Sequence, residues 1–258
     1  MFTAAVTIAG SDSCGGAGIQ ADLKAFSAFG VHGASVITAL TAQNTSGVEQ
    51  VSITAPKMVA AQLRCVLDDL PVRAIKTGML GNAETVTTVV KILQQQNEAI
   101  PLVMDPVMVA SSGAVLADPD TIAAMRSLME IAVLVTPNSD EAAALTGIQI
   151  RSSKDVYRAG QKLLGSGCHA VLLKGGHREG SMVTDLLLAD GISREWRHPR
   201  RDGNFHGTGC TLSAAIAAGI ASGNELEQAI DEAIAYLLQA MDRGSLAGKG
   251  KLVLLGNL

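Results

Sequence analysis

Along the chain, short apolar runs that end in Gly, Asp, Asn or Pro alternate with longer stretches whose apolar residues recur at spacings of three and four. The first kind, at residues 2–9, 35–42, 74–77, 102–105, 132–136, 170–174 and 181–188, predicts strands, because a strand covered on both faces reads as almost continuously apolar. The second kind, at 19–29, 57–70, 83–95, 119–129, 139–145 and 154–164, predicts helices that cross from one strand to the next. The stretch 211–241 predicts two successive helices broken near Ser222-Gly223-Asn224. Strand and helix in alternation imply an α/β fold with a mostly parallel central sheet flanked by helices. Residues 48–54 are expected to add a small flap strand outside that sheet. No repeat, low-complexity tract or linker interrupts the pattern, so 1–258 is expected to be a single domain.

Composition narrows the partners. Hydrophobic residues make up 48% and charged residues 17% of 258, which supplies a core and excludes disorder. A formal net charge of -4 without a dense Lys/Arg run excludes nucleic acid and anionic membrane as expected partners. Cys14, Cys65, Cys168 and Cys210 are scattered, with no C-x-x-C pair, which fits neither a disulfide framework nor a zinc site. A reducing, cytoplasmic location is expected, since the N-terminus has no basic leader and no apolar run reaches membrane-spanning length.

In an open α/β sheet, ligands sit beyond the carboxyl ends of the strands, and the polar clusters of this chain fall there: 10–18, Gln43-Asn44, Gly78-Met79, 105–107, 137–141, 174–177 (ending at His177) and the loop before Cys210. His206-Gly207-Thr208-Gly209-Cys210 precedes a small-residue helix. Its two glycines and the helix N-terminus suit a phosphate, although a glycine turn that only starts a helix has the same look. In that first turn the helix dipole is expected to lower the Cys210 thiol pKa; a small buried hydrophobe is the plainer reading. Neither G-x-x-x-x-G-K-[ST] nor a strand-borne G-x-G-x-x-G occurs, so a nucleotide is held another way. Asn138 and Glu141 suit either a helix capping box or the coordination of a water-retaining cation. Asp105 and Lys174 end two strands in the same register, as an acid that can order metal-bound water and a base that can neutralise charge on a transferring phosphoryl group. Asp22 stands one turn into a helix after the glycine-rich run 10–18, and Gln43 offers an amide that can pair with a ring nitrogen and its adjacent amino group.

Taken in order, Ala9-Gly10-Ser11-Asp12 with Gly15 to Lys24, Thr41-Ala42-Gln43-Asn44-Thr45, Lys76-Thr77-Gly78-Met79-Leu80, Met104-Asp105-Pro106-Val107-Met108, Thr136-Pro137-Asn138, Leu173-Lys174-Gly175-Gly176-His177 and His206 to Thr211 resemble the blocks of the hydroxymethylpyrimidine/phosphomethylpyrimidine kinases of thiamine synthesis. The resemblance implies a ribokinase-like three-layer sandwich, a homodimer, and ATP with Mg²⁺ as cofactors. It implies phosphoryl transfer to hydroxymethylpyrimidine and then to the resulting monophosphate. By motif position it places Gly10, Ala17, Asp22, Gln43, Met79 and Val107 at the pyrimidine and Asp105, Asn138, Lys174, Thr208 and Gly209 at the nucleotide. It also places Asp105 and Glu141 at the metal, and Cys210, Lys174, Gly207, Thr208 and Gly209 at the chemistry. Two segments depart from the family pattern: 200–205, which is shorter and carries Phe205 in place of Thr, and the ending around 248–251. The competing expectations are a pyridoxal kinase of the same family and a non-catalytic pyrimidine-binding protein.

Overall fold

The computed structural model describes residues 2–109, 113, 115–176 and 180–256. Its frame is a nine-stranded sheet in the order β3-β2-β1-β4-β5-β6-β7-β8-β9, with strands β1 (Ala4–Asp12), β2 (His32–Asn44), β3 (Gly47–Ile53), β4 (Val72–Thr77), β5 (Leu102–Met104), β6 (Leu134–Val135), β7 (Ala170–Leu173), β8 (Met182–Ala189) and β9 (Ile192–Pro199). Neighbours from β2 to β7 pair in parallel, while β3, β8 and β9 are antiparallel additions at the two ends.

Period-two alternation splits the sheet's side chains between two cores. Val6, Ile8, Ile75, Leu102, Met104, Val135, Val171 and Leu173 face one core, and Ala5, Ala74, Val103, Leu134, Ala170 and Leu172 the other. The first core is covered by α2 (Pro56–Asp69), α3 (Ala83–Gln94), α4 (Pro119–Met129), α5 (Ser139–Thr146) and α6 (Ser153–Leu164). The second is covered by α1 (Gly18–Ala28), α7 (Thr208–Ala221) and α8 (Leu226–Asp242), completing a three-layer sandwich. α7 is buried nearly all round because its Ala, Gly and Ser residues let α1, α8 and the sheet approach closely; a Cβ added at Gly219 would lie 3.0 Å from Ala229 Cβ.

Three features differ from the sequence reading. The segment expected as a separate flap is the edge strand β3, hydrogen-bonded to the end of β2, whose 13 residues outrun β1. A further strand, β9, folds back on β8 through Asp190-Gly191, with Gly191 at φ 69°. The end of the atypical segment 200–205 is tied to the chain beyond 248–251: β10 (Asn204–His206) pairs in parallel with β11 (Leu252–Leu254). Among the described residues, no helix is long and apolar enough to cross a membrane.

Candidate active site

Because β1, β2, β4, β5, β6 and β7 run parallel, the residues that follow them emerge along one edge of the sheet. The ladder continues past each strand and fixes their register: Gly78 donates to the Ile8 carbonyl (3.0 Å), Asp105 to Thr77 (2.9 Å), Thr136 to Met104 (2.9 Å) and Lys174 to Pro137 (2.9 Å). These residues and the start of α7 line a cavity of about 810 Å³. Thirteen of the sequence-predicted positions line it: Gly10, Ala17, Gln43, Met79, Val107, Asp105, Asn138, Glu141, Lys174, Gly207, Thr208, Gly209 and Cys210. His177 lies outside the described residues.

At one end of the cavity stands an ion pair. Lys174 Nζ is 2.7 Å from Asp105 Oδ1 and 3.7 Å from Glu141 Oε2, with all three side chains largely buried. Burial pulls the Lys174 pKa down, but Asp105 and Glu141 outweigh it and hold the value above that of an ordinary lysine. Glu141 is pushed up to about 7 by burial, against the pull of Lys174. The capping reading of Asn138 holds in full: its side chain accepts from the N–H groups of Asp140 and Glu141 (2.9 Å each), and Glu141 Oε2 accepts from the Asn138 N–H (2.7 Å). Capping occupies only one Glu141 oxygen, so it does not exclude a role at the cavity.

The turn into α7 faces this pair. Gly207 is the N-cap at φ 79°, a left-handed conformation, and an added Cβ would collide with the Gly16 carbonyl oxygen. α7 has no side-chain cap, so its first-turn N–H groups keep their capacity for an anion. A Cβ added at Gly209 would lie 3.2 Å from Lys174 Nζ and 3.5 Å from Asp105 Oδ2, which places the helix start directly against the ion pair.

Two expectations are corrected. Asp22 does not line the cavity: it is fully buried behind it, bound to Lys76 Nζ at 2.8 and 2.9 Å and to Thr7 Oγ1 at 2.6 Å. Burial opposes the charge on both partners, and Asp22, with Cys210 and Asp105 nearby, keeps Lys76 protonated above its ordinary range. Cys210 is in the first turn of α7, yet its thiol is pushed up to about 11, not lowered. Burial outweighs Lys76 there, and Asp22 and Asp105 add to the rise.

The sequence reading gave no role to Lys76, Asp12, His206 or Asp185. Asp12 organises the glycine-rich turn, accepting from the N–H groups of Cys14 (2.8 Å), Gly16 (3.0 Å) and Ala17 (2.8 Å), with His206 Nε2 at 2.9 Å. Its carboxyl is held below the ordinary value because these bonds overcome the opposing effect of burial. Asp185 accepts from the Gly175 N–H (2.7 Å) and so fixes the turn after Lys174. A charged residue inside the apolar run of β4 was a usable signal for Lys76; for Asp12 and Asp185 the partners are too distant in sequence to read.

Known proteins resemble this chain in sequence and in fold. The family model for phosphomethylpyrimidine kinase matches residues 12–254. The hydroxymethylpyrimidine/phosphomethylpyrimidine kinase of Rhizobium meliloti is 48% identical over 257 residues, covering 97% of this chain and 96% of that protein. The crystal structure of phosphomethylpyrimidine kinase from Clostridium difficile superposes with a TM-score of 0.83 at 41% identity, covering 93% of this chain and 99% of that one. The ADP complex of Bacillus subtilis pyridoxal kinase superposes with a TM-score of 0.91 at 31% identity, covering 100% of this chain and 98% of that one. Fold, ordered blocks and relatives agree: this chain belongs to the phosphomethylpyrimidine kinase family.

Proposed function

We propose that the chain uses ATP to phosphorylate the hydroxymethyl oxygen of 4-amino-5-hydroxymethyl-2-methylpyrimidine, and then phosphorylates the monophosphate to the diphosphate, in thiamine diphosphate synthesis. The observation that carries it is the Lys174–Asp105 pair set against the uncapped start of α7 in the cavity that Gln43 and Met79 also line. The alcohol oxygen attacks the γ-phosphorus as the bond to ADP breaks, and the hydroxyl proton is lost to a phosphoryl oxygen or to water as the new ester forms. The N–H groups of the first turn of α7 hold the transferring phosphoryl oxygens, and Lys174 neutralises their charge. Asp105 holds Lys174 in place. Burial pushes the Cys210 thiol up to about 11, so it rests protonated at neutral pH, and a loose transition state makes little demand for a base at this position. On the pyrimidine side, Gln43 pairs with the ring edge while Gly10, Ala17, Met79 and Val107 supply the walls.

Mg²⁺ fits the donor set. Among the described residues no group of three or more His, Cys, Asp or Glu side chains could hold a metal alone, which suits an ion that keeps waters and arrives on phosphates. Asp105 and Glu141 would hold it, directly or through water, and it would supply charge neutralisation at the β- and γ-phosphates.

The deciding experiment offers Mg-ATP with hydroxymethylpyrimidine, its monophosphate or pyridoxal in separate reactions and identifies products by mass. The expected products are the mono- and diphosphate from the first two. Product from pyridoxal alone would transfer the assignment to pyridoxal kinase, the reading favoured by the Bacillus neighbour. Pyrimidine binding with no ADP release would show a non-catalytic binder.

Three further readings concern the whole protein. The unbroken sheet from β3 to β9 supports one domain over 1–258, and four free cysteines support a reducing cytoplasmic location. The homodimer is supported by exposed apolar side chains near the β3 edge, Leu40 (55%), Val51 (38%), Ile53 (40%) and Met58 (56%). Light scattering after gel filtration should give twice the 26.5 kDa chain mass, and Val51→Lys with Ile53→Lys should reduce it to one. A monomeric wild type would refute the dimer.

A further inference from the structure

Gln43 is held at both ends of its amide, and the two contacts decide which end is which. As the amide is placed, Nε2 stands 3.0 Å from His206 Nε2 and Oε1 stands 3.2 Å from Thr41 Oγ1, an orientation that the partners' own hydrogen bonds reverse. His206 Nε2 also lies 2.9 Å from Asp12 Oδ2, on a carboxylate that three backbone N–H groups keep in place. A carboxylate can only accept, so His206 Nε2 must carry a proton and donate to it. That nitrogen then has no lone pair for an amide N–H, and the end of Gln43 facing it must be the carbonyl oxygen. The other tautomer fails twice: it sets a lone pair against the carboxylate and leaves an Nδ1 proton buried where Nδ1 has no partner.

The far end of the amide agrees. Thr41 Oγ1 donates its proton to the Ser11 carbonyl oxygen at 3.0 Å and keeps its lone pairs for Gln43 Nε2. The two ends of an amide have nearly the same shape, so hydrogen bonding alone assigns them: Oε1 toward His206, Nε2 toward Thr41. His206 is only 1% exposed and cannot swing away. Each end of Gln43 retains one unused group, an oxygen lone pair and an N–H, that can meet a ligand edge.

We propose that His206 is a specificity-determining positioning residue: through Gln43 it fixes the order in which acceptor and donor face the substrate, selecting a 4-aminopyrimidine over its 4-oxo counterpart. This rests on the kinase reading above. An aminopyrimidine offers an amino donor beside a ring-nitrogen acceptor. The oxo compound offers a carbonyl acceptor beside a ring N–H, the reverse order. A locked amide pairs with the first and sets like against like in the second, whereas a free amide turns over and takes either.

The test compares 4-amino- and 4-oxo-5-hydroxymethyl-2-methylpyrimidine by kcat/KM and by calorimetric binding, in wild type, His206→Leu, His206→Gln and Thr41→Val. A bidentate pair discriminates by about 5–150-fold, so wild type should prefer the amino compound within that range. His206→Leu should bring the preference down by roughly tenfold, toward unity. His206→Gln can place an N–H donor where His206 Nε2 stood and should restore the preference. Thr41→Val should weaken it through the other end, and serves if His206→Leu fails to fold. Equal losses on both compounds, with the preference intact in every variant that folds, would overturn the proposal. If wild type binds the amino compound but transfers no phosphoryl group, the kinase reading fails and the binding ratios still decide the role of His206.

Discussion

Cys210 shows how environment overrides position. The first turn of a helix favours a thiolate, but burial and the carboxylates of Asp22 and Asp105 push the thiol up to about 11. Alkylation of Cys210 by iodoacetamide, followed by peptide mass, should therefore be slow at pH 7 and climb about tenfold per pH unit toward pH 11. Fast labelling at neutral pH would show an activated thiolate. Lys174→Ala removes the cation beside Asp105 and Glu141; on the proposed mechanism, steady-state kinetics should show kcat lowered by about 10²–10³-fold. The Asp22–Lys76 pair is fully buried. Asp22→Ala should cost about 3–5 kcal/mol in urea unfolding, while a double replacement, Asp22→Leu with Lys76→Met, should recover most of it. Asp22, placed at the pyrimidine by its motif, is paired in the structure with Lys76, a contact between residues 54 positions apart in the chain.

At the scale of elements, the loop before α7 and the glycine-rich turn after β1 form one unit, because Gly207 sits against Gly16 and His206 against Asp12. Gly207→Ala combines a left-handed backbone with a collision at the Gly16 carbonyl and should destabilise by about 1–3 kcal/mol or more, with loss of ATP turnover, read by thermal unfolding and kinetics. Asp12→Asn should cost about 1–3 kcal/mol at neutral pH. Because the folded carboxyl is held below its ordinary value of 3.8, that stabilisation is complete above the unfolded value and fades as pH falls through the folded one. Denaturant titrations of wild type and variant should thus differ by a constant amount above about pH 5 and converge in acid; a difference that persists at pH 2 would contradict the assignment. Element boundaries were legible wherever apolar period and caps coincided, as for α5 with its capping box and the break at Gly223 between α7 and α8. β9 was not, because an edge strand whose side chains mostly face water has no apolar run to announce it.

For the whole molecule, the sequence determined the alternation of strands and helices, the parallel sheet that follows from it, and the strand ends at which the polar blocks gather. Those properties are set by local periodicity and by the geometry of crossover connections, so a single chain carries them openly. Tertiary structure decided the rest. It placed the 48–54 segment in the sheet as an edge strand, paired β10 at the end of the atypical segment 200–205 with β11, withdrew Asp22 from the cavity, and raised the Cys210 thiol by burial. It also brought Asp12, Gln43, Thr41 and His206 into one hydrogen-bonded chain. Each of these rests on contacts between distant residues or on desolvation, and neither is written in the spacing of neighbours along the chain.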